Sequence, residues 1–203
     1  MLAIFDMDGT LTDSSVVLSN AINYVRSKYN LPPLSKDEII YQINNPHCNY
    51  AQYFYNKKSI SLQDEEWFKE YYSKNHDREL VLFEGILEML KELKKKNIKL
   101  AIATNAYRNS TLEALNHLNL KDFFDFIVCF DDVGEGKPSP KMLFKLLNLS
   151  GVKKEQAIFI GDSDRDYLAA KSAGIEFIRV DFVNKKDNPL DVAKKIEEFF
   201  SII

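Results

Sequence analysis

The hydrophobic positions of this chain follow two patterns, short continuous apolar runs and a helical period, and from Leu80 onward the two alternate. Short, almost continuous apolar runs are typical of strands buried on both faces of a sheet. The segments between them show the 3.6-residue period of amphipathic helices. We predict strands at Leu2–Phe5, Ile98–Ala103, Phe126–Cys129, Ala157–Ile160 and Ile175–Val180. Their alternation with helices predicts an α/β fold with a doubly wound parallel sheet.

The segment from Ser15 to Leu80 has helical periodicity and no convincing strand. Eight of the ten tyrosines and the single tryptophan lie in it, which sets its composition apart from the rest. We predict helices at Ser15–Tyr29, from the capping box Ser35–Glu38 onward, at Tyr50–Lys57 and at Asp64–Asn75, with Ser14 capping the first. The chain is therefore expected to have a core of residues 1–14 and 81–203 and an inserted helical domain of residues 15–80.

Composition narrows the possible functions. The 203-residue chain has a net charge of −3, which argues against a broad basic surface for nucleic acid. No apolar stretch is long enough to span a membrane, and the N-terminus enters a strand without a secretory signal. Cys48 and Cys129 lack metal-binding spacing, so we expect free thiols in a reducing compartment. These features predict a cytoplasmic protein that acts without membrane or nucleic acid. They do not exclude a small anionic substrate, because the local field at a site matters more than the total charge.

Polar residues that could act in catalysis or metal binding follow the predicted strands. Asp6 and Asp8 come after the first strand, Thr104 after the second and Asp162 after the fourth, while Lys137 lies in the loop after the third. In a parallel sheet these strand ends meet at one edge. Two carboxylates spaced i, i+2 on extended backbone point the same way and repel each other unless a cation or proton intervenes. The pair therefore indicates a hard-metal site, a nucleophile with an acid partner, or both.

Four segments together resemble the motifs of the haloacid dehalogenase-like (HAD) phosphohydrolase superfamily. They are Asp6–Asp13, Thr104–Asn105, Gly136–Pro140 and Gly161–Asp166, in that order and at strand ends. The resemblance covers the chain apart from the detail of the insertion. It implies a Rossmann-like core with an α-helical cap domain, and a phosphoric monoester hydrolase.

The resemblance also implies a role for each motif residue. Asp6 would be the nucleophile that forms an aspartyl-phosphate, and Asp8 the general acid and then the base. Mg²⁺ would be held by Asp6, the backbone carbonyl of Asp8 and Asp162. Phosphate would be bound by Thr104, Asn105 through its backbone, and Lys137. Asp166 would hold a metal-bound water or orient Lys137.

The presence of Asp8 and of the insertion selects among members of the superfamily. Dehalogenating members expel halide, which needs no proton, and lack an acid at this position, so Asp8 favours phosphoryl chemistry. The insertion resembles the small helical cap of phosphoglycolate-phosphatase-like members, and Asn45, His47 and Tyr50 are candidate contacts for the leaving group. We expect a small phosphorylated metabolite as substrate, of the phosphoglycolate, sugar phosphate or nucleotide class, and a monomer or small homo-oligomer.

Two other functions stay open from the sequence. A sugar-phosphate mutase of the same superfamily shares the motifs and the cap type. A receiver domain of a signalling protein also surrounds a phosphorylated aspartate with acids, a threonine and a lysine. It is shorter, however, and has no cap. Repeated release of phosphate from p-nitrophenyl phosphate would separate an enzyme from a receiver, which is phosphorylated once.

Overall fold

The computed structural model describes residues 1–45 and 48–202 of the chain. Its strands are β1 (Leu2–Phe5), β2 (Thr12–Asp13), β3 (Val81–Leu82), β4 (Lys99–Ala103), β5 (Phe126–Val128), β6 (Ala157–Gly161) and β7 (Glu176–Arg179). Its helices are α1 (Ser15–Lys28), α2 (Lys36–Asn44), α3 (Tyr50–Tyr55), α4 (Leu62–Glu79), α5 (Ile86–Lys95), α6 (Arg108–His117), α7 (Lys141–Ser150), α8 (Asp164–Ala173) and α9 (Pro189–Ile202). By its internal contacts the chain divides into two compact units, Ser14–Leu80 and the remainder, and each is described by itself.

The core unit is built on five parallel strands in the order β5-β4-β1-β6-β7. β1 is central and fully buried, because β4 and β6 pair with its two edges. On one face Leu2 and Ile4 share an apolar cluster with Met142 of α7 and Ala169 of α8. The chain winds first to one side of β1 and then to the other, so the doubly wound α/β fold predicted from the sequence is confirmed.

The helical unit has an apolar core of its own, formed by α1, α2, α3 and α4. Ile22, Val25, Ile39, Phe54 and Tyr55 are buried together in it. Within the described residues 14–45 and 48–80 the structure contains helices and no strand, as the sequence predicts. Ser35 caps α2 by accepting a hydrogen bond from the Glu38 amide at 3.2 Å. Ser14 is the N-cap residue of α1, as predicted, but its side chain makes no capping hydrogen bond.

Helix α4 begins earlier and ends later than the predicted Asp64–Asn75. The Ser61 hydroxyl accepts from the Asp64 amide at 3.3 Å, while the Asp64 carboxylate accepts from the Ser61 amide at 2.8 Å. This reciprocal capping box satisfies two amides that a helix start otherwise leaves without partners. None of the helices in the described part of the chain is long and apolar enough to cross a membrane.

A short antiparallel ribbon was not predicted from the sequence. Thr12 pairs with Leu82 and Asp13 with Val81, which joins β2 to β3. Each strand has two residues, too few for hydrophobic alternation to be visible. The ribbon pairs the chain segment that leaves the core for the helical unit with the segment that returns from it.

Candidate active site

Three polar residues lie side by side because they follow neighbouring strands of a parallel sheet. Asp6 follows β1, Thr104 follows β4 and Asp162 follows β6. The Asp6 amide still donates to the Ile160 carbonyl at 2.9 Å, and the Thr104 amide to the Val128 carbonyl at 3.2 Å. The backbone under Asp6 and Thr104 is therefore held by the sheet.

The turn after β1 is tight and requires glycine. The Met7 carbonyl accepts from the amides of Leu11 at 2.8 Å and Thr12 at 3.0 Å. Gly9 has a φ of 82°, and a Cβ added there would lie 2.3 Å from Oδ2 of Asp162. A side chain at Gly9 would thus strain the backbone and displace that carboxylate. Asp8 in the same turn is half-buried.

Lys137 is a buried lysine with three oxygen atoms around its ammonium. Its Nζ lies 2.5 Å from Oδ1 of Asp6, 2.6 Å from Oδ1 of Asp166 and 2.9 Å from the Ala103 carbonyl. Burial acts to lower the pKa of Lys137, but the carboxylates of Asp6 and Asp166 outweigh it, and the pKa lies above its ordinary value. Lys137 therefore supplies a fixed positive charge beside Asp6.

Three carboxylates crowd together next to this charge. Oxygen atoms of Asp6, Asp162 and Asp166 lie within 4.8 Å of one another. Burial raises the pKa of Asp6 well above its ordinary value, against the opposing effect of Lys137. Burial and then the charge of Asp166 raise the pKa of Asp162 to about 6. Carboxylates whose ionised forms are so disfavoured gain most from a bound cation, and an all-oxygen donor set suits Mg²⁺, so these residues fit that ion.

The N-terminus of α8 holds Asp166 in place. Its Oδ2 accepts from the Ser163 amide at 3.1 Å and from the Ser163 hydroxyl at 2.6 Å. A Cβ added to Gly161 would lie 2.6 Å from Cβ of Asp166, so glycine is needed for this close approach. Since Oδ1 of Asp166 faces Lys137, this residue is placed to orient the lysine, one of the two roles that the sequence left open.

The segment after β4 contributes Thr104 and Asn105. The Thr104 hydroxyl oxygen accepts from the Ala106 amide at 3.1 Å, which leaves its proton available to an acceptor. The side chain of Asn105 contacts the main chain of Lys137 instead of pointing along the sheet edge. Thr104 is thus placed as a donor for an anion, and the side chain of Asn105 has a different task.

Two of the residues predicted as leaving-group contacts are described within the helical unit, Tyr50 and Asn45. The Tyr50 hydroxyl donates to the Ile43 carbonyl at 2.6 Å, and its ring stacks on Phe54. Asn45 is half-buried at the end of α2, where its backbone amide donates to the Gln42 carbonyl. His47 lies outside the described residues. Their proposed contact with a leaving group stays a prediction.

Two residues of the site lie in the segments that carry the resemblance, but the sequence assigned neither of them a role. Ser163 and Gly136 each position a motif residue, Asp166 in one case and Asn105 in the other. The Ser-x-x-Asp spacing of Ser163 and Asp166 is a capping-box signal that could have identified the first. No local pattern could have revealed the role of Gly136, because the residue that requires glycine there, Asn105, is far away in the sequence.

Comparison with known proteins gives one consistent result. The chain matches the family model for haloacid dehalogenase-like hydrolases over residues 3–180. It is 32% identical over 176 residues to a pyrophosphatase PpaX of Halalkalibacterium halodurans, covering 85% of this chain and 80% of that protein. It is 28% identical over 197 residues to a phosphoglycolate phosphatase of Pseudomonas savastanoi pv. phaseolicola, covering 93% and 72%. The crystal structure of a predicted phosphoglycolate phosphatase from Haemophilus somnus superposes with a TM-score of 0.81 at 26% identity, covering 96% of each chain.

Proposed function

Because the chain belongs to the haloacid dehalogenase-like hydrolase family, we propose that it is a Mg²⁺-dependent phosphatase that hydrolyses a small phosphate monoester through an aspartyl-phosphate on Asp6. The observation that carries the proposal is the buried ammonium of Lys137 between the carboxylates of Asp6 and Asp166. A carboxylate can attack an anionic phosphate ester only where nearby positive charge offsets the repulsion.

The reaction proceeds in two steps on this chain's own residues. An oxygen of Asp6 attacks phosphorus and forms the aspartyl-phosphate, while Asp8 gives its proton to the departing oxygen. Asp8 then takes a proton from water as that water attacks the phosphoryl group, which frees Asp6. The Thr104 hydroxyl donates to a phosphoryl oxygen, and the Lys137 ammonium binds the phosphoryl group through its positive charge. Asp6, Asp162 and the Asp8 backbone carbonyl would hold Mg²⁺, which when bound polarises the phosphoryl oxygens as a Lewis acid.

The relatives support a small, strongly anionic substrate. One is named a phosphoglycolate phosphatase and another a pyrophosphatase. We propose that the substrate is a phosphorylated metabolite of the phosphoglycolate, sugar phosphate or nucleotide class. Pyrophosphate belongs in the same test, because its leaving group is a second phosphate.

The test is phosphate release from a panel of esters and pyrophosphate by the purified protein with Mg²⁺. We expect repeated turnover by the wild type and none by Asp6→Asn, because an amide cannot form the acyl phosphate. A fully active Asp6→Asn variant would remove the mechanism. Interconversion of sugar monophosphates without phosphate release would instead identify the mutase, and one phosphorylation per chain would identify a receiver.

A further inference from the structure

The side-chain amide of Asn105 is hydrogen-bonded twice to one other residue. Oδ1 accepts from the Lys137 backbone amide at 2.7 Å, and Nδ2 donates to the Lys137 backbone carbonyl at 3.1 Å. We infer that Asn105 is a positioning residue, which acts through Lys137 by holding its backbone so that the ammonium reaches Asp6. The inference rests on the proposed function for its catalytic consequence, and it gives the Asn105 side chain a task separate from the predicted phosphate contact of its backbone.

The geometry explains why an amide stands at this position. Asparagine offers a donor and an acceptor in one plane, and here they meet the amide and the carbonyl of a single residue. Two such bonds determine both the position and the orientation of the Lys137 backbone. Lysine has a flexible four-carbon stem, so its ammonium can be held in place only if the Cα from which it starts is also held.

Gly136 is the steric counterpart of this contact. A Cβ added there would lie 2.7 Å from Oδ1 of Asn105 and 3.0 Å from its Cγ. Gly136 is not among the glycines with positive φ, so its backbone conformation does not require glycine. The contact with Asn105 does require glycine, because a methyl group at position 136 would push the Asn105 side-chain amide away from Lys137.

Another link joins the same two segments and provides a control. The Arg108 guanidinium donates to Oδ1 of Asp132 at 3.0 Å and to the Ile127 carbonyl at 2.9 Å. Among the interactions of the described residues, the side chains of Arg108 and Asp132 do not contact Asp6 or Lys137. Loss of this link should loosen the structure without changing the direction of the Lys137 ammonium.

A double-mutant cycle on kcat/KM tests the inference. We expect Asn105→Ala alone to lose about tenfold, the cost of one or two good hydrogen bonds expressed as rate. Lys137→Met should lose about 10²-fold or more. Asn105→Ala added to Lys137→Met should cost less than about twofold more, since the residue that it positions is gone. The control Arg108→Gln should lower the melting temperature while it keeps kcat/KM within about threefold of wild type and adds its effect independently of Lys137.

Full additivity of Asn105→Ala and Lys137→Met would overturn the inference, because it would mean that Asn105 acts on the substrate directly. Gly136→Ala gives a second cycle that leaves the lysine in place. It should impair the wild type as Asn105→Ala does and add nothing to Asn105→Ala, where the methyl group has room. An equal further loss in that background would equally contradict the inference.

A third measurement is independent of turnover. Hydrogen exchange at the Lys137 backbone amide should be faster in Asn105→Ala than in wild type and unchanged in Arg108→Gln. Unchanged exchange in Asn105→Ala would remove the hydrogen bond on which the inference stands. If the wild type released no phosphate from any substrate, the proposed function would fail, while this measurement would still decide whether Asn105 holds Lys137.

Discussion

At the scale of single residues, the arrangement of the site follows from the charge of Lys137. Asp6 and Asp166 are buried and would repel each other, and the ammonium between them offsets that repulsion. Asp166 in turn is held by Ser163, so the lysine contacts one carboxylate that is positioned and another that is proposed to react. Asp8 lies in a separate, half-buried position in the turn after β1, which suits a group that must exchange protons with water.

The proposed roles of Asp8 give a prediction that depends on the leaving group. Asp8→Asn should slow hydrolysis of alkyl phosphates by about 10²-fold or more, because their alkoxides need a proton. With p-nitrophenyl phosphate the first step should be spared, since nitrophenolate leaves unprotonated. Rapid-mixing experiments should then show a burst of nitrophenolate followed by slow turnover, whereas Asp6→Asn should give no burst. An equal loss on alkyl and aryl esters, with no burst, would contradict the acid role of Asp8.

The carboxylate cluster predicts a requirement for metal. EDTA should abolish phosphate release and Mg²⁺ should restore it, because Asp6 and Asp162 form an all-oxygen site. Asp162→Asn should raise the Mg²⁺ concentration needed for half-maximal activity. Asp164→Asn is the matched control, since Asp164 lies two residues away but is exposed and paired with Arg179 at 2.6 Å. Full activity of the chelated enzyme, or equal effects of the two substitutions, would remove the assignment.

At the scale of elements, the sequence predicts what local patterns encode. The sheet strands could be predicted because β1, β4 and β6, for example, are almost continuous apolar runs. The parallel topology then predicted that the polar residues after these strands lie close together. The ribbon of β2 and β3 was missed, since two-residue strands have no periodicity. The side-chain role of Asn105 was missed for another reason. Its partner Lys137 lies 32 residues away, and one sequence does not reveal which loops meet.

Helix α4 carries a buried charge whose effect on stability can be measured. The Asp64 carboxylate accepts from Lys57 Nζ at 2.5 Å and from the Tyr29 hydroxyl, and its side chain is only 1% exposed. Burial acts to raise the pKa of Asp64, but the hydrogen bonds from Lys57, Tyr29 and Ser61 outweigh it and hold the pKa well below the ordinary 3.8. A carboxyl whose folded pKa is depressed stabilises the fold above its unfolded pKa, and the stabilisation is lost as the pH falls below it.

Asp64→Asn should therefore lower the free energy of unfolding by about 2 kcal/mol at neutral pH. Urea unfolding at pH 7 and pH 5 should give the same difference from wild type, and the difference should shrink as the pH falls below about 4. Glu65→Gln is the control in the same helical turn, because its partner Lys69 lies 3.8 Å away and both side chains are exposed. That change should cost less than about 0.5 kcal/mol. A difference for Asp64→Asn that grew on acidification would contradict the ion pair's role.

At the scale of the whole molecule, we propose that the two units have different tasks. The motif residues of the proposed reaction all belong to the core unit: Asp6, Asp8, Thr104, Lys137, Asp162 and Asp166. The helical unit has its own apolar core and its own ion pair, in which Asp64 is buried. Its proposed task is to distinguish among leaving groups, since the core is proposed to recognise the phosphoryl group that all the substrates share.

This division predicts that the helical unit can be removed. Asp13 and Val81 already pair in the ribbon, so an Asn-Gly turn in place of Ser14–Leu80 would close β2 and β3 into a two-residue hairpin. The shortened chain should fold cooperatively and keep its Mg²⁺ dependence. Because the proposed cap role includes shielding the site from water, the shortened chain should hydrolyse p-nitrophenyl phosphate more slowly than the full chain. Its kcat/KM values should spread less across the ester panel, since the phosphoryl contacts are kept and those to the leaving group are lost. A folded, metal-binding variant that keeps the full-length ranking of substrates would show that specificity resides in the core, and one that releases no phosphate at all would show that the helical unit supplies part of the chemistry.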